Sequence, residues 1–239
     1  MPEPKIIEWT EQPWNPVTGC TKISSGCANC YAEETVKWLQ RMRNPRYRNG
    51  FRITMHEDLL AEPTRWKKPR RIFIGSMSDI FHDEIPKEFV LRAFKTMNEC
   101  AQHTFIVLTK RAKNMLDLSK EINWTENIWL GVTVEEARYN QRIELVKDTG
   151  AKRKFVCAEP LLGDLGIVNL TNIDWMVVGG ESGKNSRPIE EKWVTNLRDQ
   201  CLAQNVMFTF KQWGGRFRKR NGSLLEGEYY HDLPEVMRD

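Results

Sequence analysis

The sequence predicts an α/β fold, a full or partial TIM-like (β/α) barrel with about six to seven parallel strands. Two observations support it. Short apolar runs rich in Val, Ile and Phe recur along the 239-residue chain, and amphipathic stretches of helical length separate them. Such runs, bounded by turn-forming residues, are typical of strands buried on both faces of a parallel sheet. A doubly wound open sheet is the alternative, because periodicity does not decide closure.

The individual elements follow from these patterns. A short first strand is predicted before Cys20, and a helix is predicted from about Ala32, after a cysteine-rich loop. Segment 86–102 begins with a proline and repeats apolar residues at helical spacing, and 135–149 and 189–204 resemble it. The remaining strands are predicted at 71–79, 104–111, 127–135, 154–160, 174–183 and 207–215.

The length of the chain fits one large domain or a small pair, and we predict a single domain over residues 1–239. Hydrophobic residues make up 40% of the chain, enough to bury a sizeable core, and the net charge is +4. No apolar run is long enough to span a membrane. The N-terminus lacks the basic and apolar regions of a secretion signal. We therefore expect a cytoplasmic protein.

Three cysteines near the N-terminus, Cys20, Cys27 and Cys30, have the pattern of metal ligands. Small, polar and glycine residues separate them, so the backbone can bring three thiolates to one centre. A closed zinc site takes four protein ligands, and the nearest histidine, His56, lacks a partner at finger spacing. An iron–sulfur cluster can leave one iron free for a small molecule. The other cysteines are expected to be buried thiols: Cys100, Cys157 and Cys201.

Polar residues follow the predicted strands. The carboxyl ends of parallel strands meet at one edge, where active sites lie, and the cysteine loop would open on the same edge. A single polar strand end more often caps the next helix, but six together favour a site. These residues are Ser76, Ser78 and Asp79; Thr109, Lys110 and Arg111; Thr133 and Glu135; Glu159; Gly179, Gly180 and Glu181; Lys211 and Gln212.

Positive charge is concentrated in two segments. Residues 37–71 hold eleven Lys or Arg against three acidic residues, a local charge of +8, and are predicted to be an insertion. A basic C-terminal extension begins at about residue 211 and includes Arg216, Arg218 and Arg220. Both contain aromatic residues, a combination that suits phosphate pairing and base stacking. A solvated, charge-rich surface is the alternative.

Several sequence strings resemble those of a known enzyme group. They are WNPVTGCTKISSGCANCYAE, GSMSDIFH, LTKR, WLGVTVE, AEPLLG, VVGGESG and FKQWGG, and they run from Trp14 to Gly215. The chain resembles the radical S-adenosylmethionine enzymes, whose three-cysteine loop follows the first strand of a partial β/α barrel. More closely, it resembles a phage-associated three-cysteine-motif family.

The resemblance implies that Cys20, Cys27 and Cys30 hold a [4Fe–4S] cluster whose fourth iron binds S-adenosylmethionine. An external electron donor would then release a 5′-deoxyadenosyl radical that abstracts hydrogen from the substrate. The spacing departs from the common motif, because six residues separate Cys20 from Cys27, and Asn29 precedes the last cysteine. The two basic segments favour a nucleotide or a nucleic-acid base as the substrate.

Under this interpretation the polar strand ends have two roles. The residues expected to bind the cofactor are Ser76, Ser78, Asp79, Lys110, Thr133, Glu135, Glu159, Gly179, Gly180 and Glu181. Those expected to bind the substrate are Arg111, Lys211, Gln212, Arg216, Arg218 and Arg220. Two alternatives stay open. One is a nucleic-acid-binding module in which a cluster or zinc ion only braces the loop, and the other is a metal-free hydrolase that uses Glu159 or Glu181.

Overall fold

The computed structural model describes residues 10–235, apart from the side chains of residues 218 and 219. The strands are β1 (Gln12–Trp14), β2 (Val17–Thr18), β3 (Thr54–Met55), β4 (Arg71–Ile74), β5 (Thr104–Thr109), β6 (Ile128–Thr133), β7 (Arg153–Ala158), β8 (Trp175–Gly179), β9 (Met207–Gln212), β10 (Leu224–Leu225) and β11 (Glu228–Tyr229). The helices are α1 (Tyr31–Arg41), α2 (Lys87–Glu99), α3 (Ala112–Ser119), α4 (Gln141–Lys147), α5 (Glu191–Ala203) and α6 (Arg218–Asn221). None of these helices is long and apolar enough to cross a membrane.

Within residues 10–235, seven strands form one sheet in the order β1–β4–β5–β6–β7–β8–β9. Every neighbouring pair is parallel. A doubly wound sheet would reverse its strand order at one point, and this order runs in one direction only. The sheet curls into a half-barrel with β1 and β9 at its edges. The prediction of a partial barrel is therefore confirmed.

Each of the six strands predicted from apolar runs is present, but the polar residues at the ends of the runs lie mostly in loops. For example, β4 stops at Ile74, because Gly75 adopts a φ of 81° that turns the chain. The helix predicted over 135–149 is shorter, since a 3-10 turn at Ala137–Tyr139 comes before α4. The loops that follow the strands therefore carry the chemistry.

The two faces of the sheet have separate apolar cores. Side chains alternate between the faces along each strand, so Leu130 and Val132 of β6 pack outward with helix residues such as Phe94, while Trp129 points to the concave face. The concave core includes Leu233, from the segment after β11. The helices cover the outer face, and the concave face is left for a site.

Three aromatic residues of the concave core, Trp129, Phe155 and Trp175, form what we call the aromatic floor. The ring centroids of Trp129 and Trp175 are 6.1 Å apart, and those of Phe155 and Trp175 are 5.5 Å apart. A Cβ at Gly131 would lie 2.4 Å from the Phe155 ring, so glycine makes room for that ring. Trp175 Nε1 donates to Thr209 Oγ1 at 2.8 Å. This floor fills the half of the concave face nearer the amino ends of the strands.

Candidate functional site

A cavity of about 600 Å³ lies at the carboxyl ends of the strands. Its volume is within the usual range for small-molecule sites, about 300–1,000 Å³. Strand residues that line it are Pro13, Phe73, Leu108, Thr109, Thr133, Cys157 and Lys211. Cys20, Cys27 and Cys30 also line it, as does Tyr31 at the start of α1. The cysteine loop and the strand ends therefore meet at one site, as the sequence predicts.

The backbone before Cys20 fixes where the cysteine loop begins. Gly19 has a φ of 91°, and a Cβ there would lie 2.2 Å from the carbonyl oxygen of Arg52. The Cys20 N–H donates to the carbonyl of Phe51 at 3.2 Å. Only glycine fits this close approach. The loop ends at Cys30, which immediately precedes α1.

The three thiols of the loop are free and partly exposed. Burial raises the pKa of Cys20 to about 11, and the Asp79 carboxylate and the other two loop thiolates add to the increase. Burial alone would also raise the pKa of Cys27, but hydrogen bonds from the Ile23 backbone and the Ser24 hydroxyl outweigh it, and this pKa is lowered. All three thiols line the same cavity.

Three cysteine thiols are a donor set that suits an iron–sulfur cluster. A zinc ion needs its ligands at about 2.0–2.3 Å from one point. In the described part of the chain, no group of three or more His, Cys, Asp or Glu side chains could hold a metal ion in this way. In a [4Fe–4S] cluster each cysteine binds a separate iron, so its sulfurs stand further apart than the ligands of a single ion. Cys20, Cys27 and Cys30 all line the cavity.

Glu135 lies beneath the first half of the cysteine loop. Its Oε1 accepts from Ser24 Oγ at 2.5 Å and is 3.4 Å from Lys110 Nζ, and its Oε2 accepts from Arg142 Nη1 at 2.8 Å. A Cβ at Gly26 would lie 2.4 Å from this carboxylate. The side chain is fully buried and is not among the cavity-lining residues. Its contacts are those of a residue that positions the loop.

Glu181 holds the second half of the loop. Its Oε2 accepts from Asn29 Nδ2 at 3.0 Å and from the Arg187 backbone N–H at 2.9 Å. The Arg187 guanidinium adds bonds of 2.9 Å and 2.5 Å to the two carboxylate oxygens, and Nη2 also donates to the Ser25 carbonyl at 3.0 Å. Burial alone would raise the pKa of Glu181, but the bonds from Arg187 and Asn29 outweigh it, so the pKa is lowered. The ionised carboxylate therefore links the loop to β8.

Arg111 connects β5 to the first cysteine. Its Nη2 donates to Thr21 Oγ1 at 2.7 Å, and its Nη1 lies 3.8 Å from Cys20 Sγ. His82 Nε2 is 2.8 Å from the same Thr21 hydroxyl, and Asp83 pairs with Arg111 Nε at 3.3 Å. Arg111, which we expect from the sequence to bind the substrate, thus contacts the cysteine loop.

Asp79 is buried against the start of the loop after β5. Its carboxylate accepts from Thr109 Oγ1 at 2.7 Å and from the Lys110 backbone N–H at 3.0 Å. The Lys110 side chain lines the cavity, as Asp79 does, and its Nζ lies 3.4 Å from Glu135 Oε1 behind the lining. Both charge signs are therefore available to a ligand.

The loop after β4 forms another wall. Ser76 Oγ donates to Asn15 Oδ1 at 3.1 Å, and the Ser76 carbonyl accepts from the Tyr31 hydroxyl at 2.7 Å. Ser78 pairs with Gly19 in an isolated parallel bridge. Both serines line the cavity. These contacts join the loop after β4 to both ends of the cysteine loop.

Across the later strands, Glu159 is the centre of a polar group. Its Oε2 accepts from Lys211 Nζ at 3.0 Å and its Oε1 from Gln212 Nε2 at 2.6 Å. A Cβ at Gly179 would approach the same carboxylate, and one at Gly180 would lie 2.1 Å from a carbonyl oxygen of the loop after β9. Glu159, Gly180 and Lys211 line the cavity, whereas Gly179 and Gln212 support it from behind.

The predicted C-terminal cations lie away from the cavity lining. Arg216 and Arg220 are exposed, and the Arg216 guanidinium is 5.4 Å from the centre of the Phe217 ring. Neither is among the lining residues. The Arg218 side chain lies outside the described residues. Their assignment to the substrate stays a prediction.

Sequence reasoning missed the residues that position the loop. Arg187 and Arg142 end no predicted strand and lie outside the motif strings, while Thr21 and Ser24 lie within the cysteine string but were given no role there. Their partners are far away in the sequence, as with Ser24 and Glu135 at a separation of 111 residues. No local pattern could have found such pairs.

Fold and site together define a partial β/α barrel with a three-thiol loop at its carboxyl edge. Over residues 5–234 the sequence matches the profile of a family described as "Protein of unknown function (DUF5131)", and the chain belongs to this family. No curated protein matches the sequence. The phage association of the resembling family stays a prediction.

Two solved structures are similar to this chain at 12% sequence identity. One is a cysteine-to-serine mutant of spore photoproduct lyase, with a TM-score of 0.49 over 85% of this chain and 76% of that one. The other is a double mutant of the same enzyme with bound AdoMet and dinucleoside spore photoproduct, with a TM-score of 0.48 over 83% of this chain and 63% of that one.

Proposed function

We propose that the protein is a radical S-adenosylmethionine enzyme in which Cys20, Cys27 and Cys30 hold a [4Fe–4S] cluster. The observation that carries this proposal is the convergence of three free thiols on one cavity at the carboxyl edge of the barrel. With S-adenosylmethionine and one electron from an external donor, such a cluster supplies a 5′-deoxyadenosyl radical that abstracts hydrogen from a substrate.

The charged residues of the cavity suit the methionine part of this cofactor. An ammonium group needs an acceptor and a carboxylate needs a donor. Asp79 and Glu159 supply carboxylates, and Lys110 and Lys211 supply ammonium groups. The lysines are already paired with Glu135 at 3.4 Å and Glu159 at 3.0 Å, so binding would exchange internal ion pairs for pairs with the ligand.

The same cavity can keep water away from a reactive radical. The aromatic floor closes it toward the amino ends of the strands, and Phe73, Leu108 and Phe51 are apolar lining residues. Excluding water prevents side reactions of reactive intermediates. The nucleotide or nucleic-acid substrate proposed from the basic segments would enter from the open carboxyl edge.

Anaerobic reconstitution with iron and sulfide tests the proposal. We expect about four iron and four sulfide per chain, and an electron paramagnetic resonance signal of the reduced protein that changes when S-adenosylmethionine is added. Alanine at Cys20, Cys27 or Cys30 should remove the chromophore, while Cys100→Ala and Cys201→Ala should retain it. One zinc per chain without sulfide would overturn the proposal.

The second candidate is a nucleic-acid-binding module in which the cluster only braces the loop. Exposed arginines beside the loop, such as Arg52, favour it. A full cluster whose spectrum is insensitive to S-adenosylmethionine would support this candidate. A metal-free hydrolase is disfavoured, because Glu181 accepts four hydrogen bonds and Glu159 two from neighbouring side chains or backbone.

A further inference from the structure

The first part of the basic segment, residues 37–52, packs against the cysteine loop. Phe51 lines the cavity, and its carbonyl accepts from the Cys20 N–H at 3.2 Å. Arg52 follows Phe51, and its side chain is exposed. The Arg52 carbonyl lies against Gly19, at the start of the cysteine loop. This part of the segment therefore lies at the carboxyl edge of the sheet, next to the proposed site.

The last part of the same segment, residues 65–71, lies at the opposite end of the sheet. It leads into the amino end of β4, and the Arg70 carbonyl accepts from the Thr104 N–H at the amino end of β5. The Trp66 ring lies 6.0 Å from that of His103, which precedes β5. One charge cluster in the sequence thus becomes two separate surfaces in the fold.

Much of the positive charge of residues 37–52 is not neutralised by neighbouring side chains. Lys37 pairs with Glu34 at 2.5 Å and Arg46 with Asp58 at 2.6 Å. In contrast, within the part of the chain that the structure describes, four exposed arginines make no ion pair: Arg41, Arg43, Arg48 and Arg52. A surface with this excess of guanidinium groups attracts a polyanion.

Aromatic side chains accompany these arginines along α1. Tyr31 is 60% exposed although it lines the cavity, so it lies at the cavity mouth. Trp38 is 55% exposed and follows seven residues later, which is two helical turns, or about 10 Å, along the same face. Flat exposed rings on one face of a helix can each stack on a base of a single strand.

We infer that this surface binds a single-stranded polynucleotide and delivers one of its bases to the cavity. The mouth surface consists of Tyr31, Trp38, Arg41, Arg48 and Arg52. A base inside a duplex is stacked and paired, and it cannot reach a cavity within the barrel unless it is extruded. The inference rests on the proposed function for the chemistry in the cavity, and it names the substrate class of that site.

Fluorescence anisotropy of labelled twenty-nucleotide DNA and RNA strands, titrated with the full chain, tests the inference. The variant Arg41→Ala/Arg48→Ala/Arg52→Ala should weaken binding at least tenfold. It should also lower the slope of log affinity against log salt by about 2, since each lost contact removes about 0.7 for single strands. The matched control Arg65→Ala/Lys67→Ala/Lys68→Ala removes equal charge at the opposite end, and should change affinity less than threefold.

A second variant tests stacking independently of charge. Trp38→Ala should weaken binding about 5- to 150-fold, because stacking of one base is worth about 1–3 kcal/mol. Trp38→Phe should retain most of the affinity, since it keeps an aromatic face. Because Trp38 is largely exposed, folding should be unaffected, and circular dichroism checks this.

The outcomes separate this inference from the proposed function. Binding to single strands by wild-type protein that produces no 5′-deoxyadenosine would leave the mouth surface standing and remove the radical chemistry. Equal losses in the two triple variants would overturn the inference. So would equal affinity for polyglutamate, which would indicate an acidic protein partner, or a preference for duplex over single strands.

Discussion

The concave face of the sheet has two halves, built from the same strands, with opposite properties. Toward the amino ends, Trp129, Phe155 and Trp175 pack into a closed aromatic floor. Further along the same strands, Cys157 follows Phe155 by two residues and Thr133 follows Trp129 by four, and both line the cavity. The same strands run through both halves, so the two halves differ in the size and polarity of their side chains. Stability and chemistry are thus separated along each strand.

The largest expected effect belongs to the aromatic floor. Trp175→Ala should lower the free energy of unfolding by about 3–5 kcal/mol, because it leaves a cavity in a packed core and removes the bond to Thr209. Cys157→Ala, in the cavity half, should cost only about 1 kcal/mol, since it removes a single buried sulfur at the cavity wall. Urea unfolding curves measure both. Similar losses would show that the two halves do not differ as described.

The next effect concerns the link between the cavity half and the cysteine loop. Glu181→Gln removes a charge that accepts four hydrogen bonds, a loss of about 1.5–3 kcal/mol for each charge-assisted bond broken. We expect iron content after reconstitution to fall by half or more. Glu190→Gln, which removes an exposed pair with Lys192, is the matched control and should keep its iron. Equal iron in both variants would refute a positioning role for Glu181.

A smaller effect tests how tightly the floor is packed. Gly131→Ala places a Cβ 2.4 Å from the Phe155 ring and should destabilise the protein by about 1–3 kcal/mol. Phe155→Leu in the same chain should recover part of this loss, because the shorter side chain leaves room. A thermal-unfolding double-mutant cycle measures the recovery. Strictly additive effects would contradict the contact.

The smallest effect is one of reactivity in the iron-free protein. At neutral pH, Cys27 should be alkylated before Cys20, because its pKa is lowered, while burial raises the pKa of Cys20 to about 11. The thiolate is the reactive form, so each unit of pH below 11 reduces the reactive fraction of Cys20 about tenfold. Cys157, with a pKa of about 12, should react last. Peptide mass spectrometry of the alkylated protein gives the order.

The strands could be predicted from the sequence, because runs such as that at 104–111 carry the apolar pattern locally. The three thiols could be found for the same reason. The role of Glu135 could not, since it follows a strand like a cavity residue but turns beneath the loop to meet Ser24. The sequence also could not show that residues 37–71 form two separate surfaces, because this separation depends on β4 beginning at Arg71.

Reductive cleavage of S-adenosylmethionine tests the central claim most directly. Anaerobically reconstituted protein is incubated with dithionite and S-adenosylmethionine, with and without a single-stranded oligonucleotide, and 5′-deoxyadenosine and methionine are quantified by chromatography. The account predicts both products in equal amounts, and neither from the variant in which Cys20, Cys27 and Cys30 are all alanine. Absence of 5′-deoxyadenosine from protein with a complete cluster, under both conditions, would contradict it.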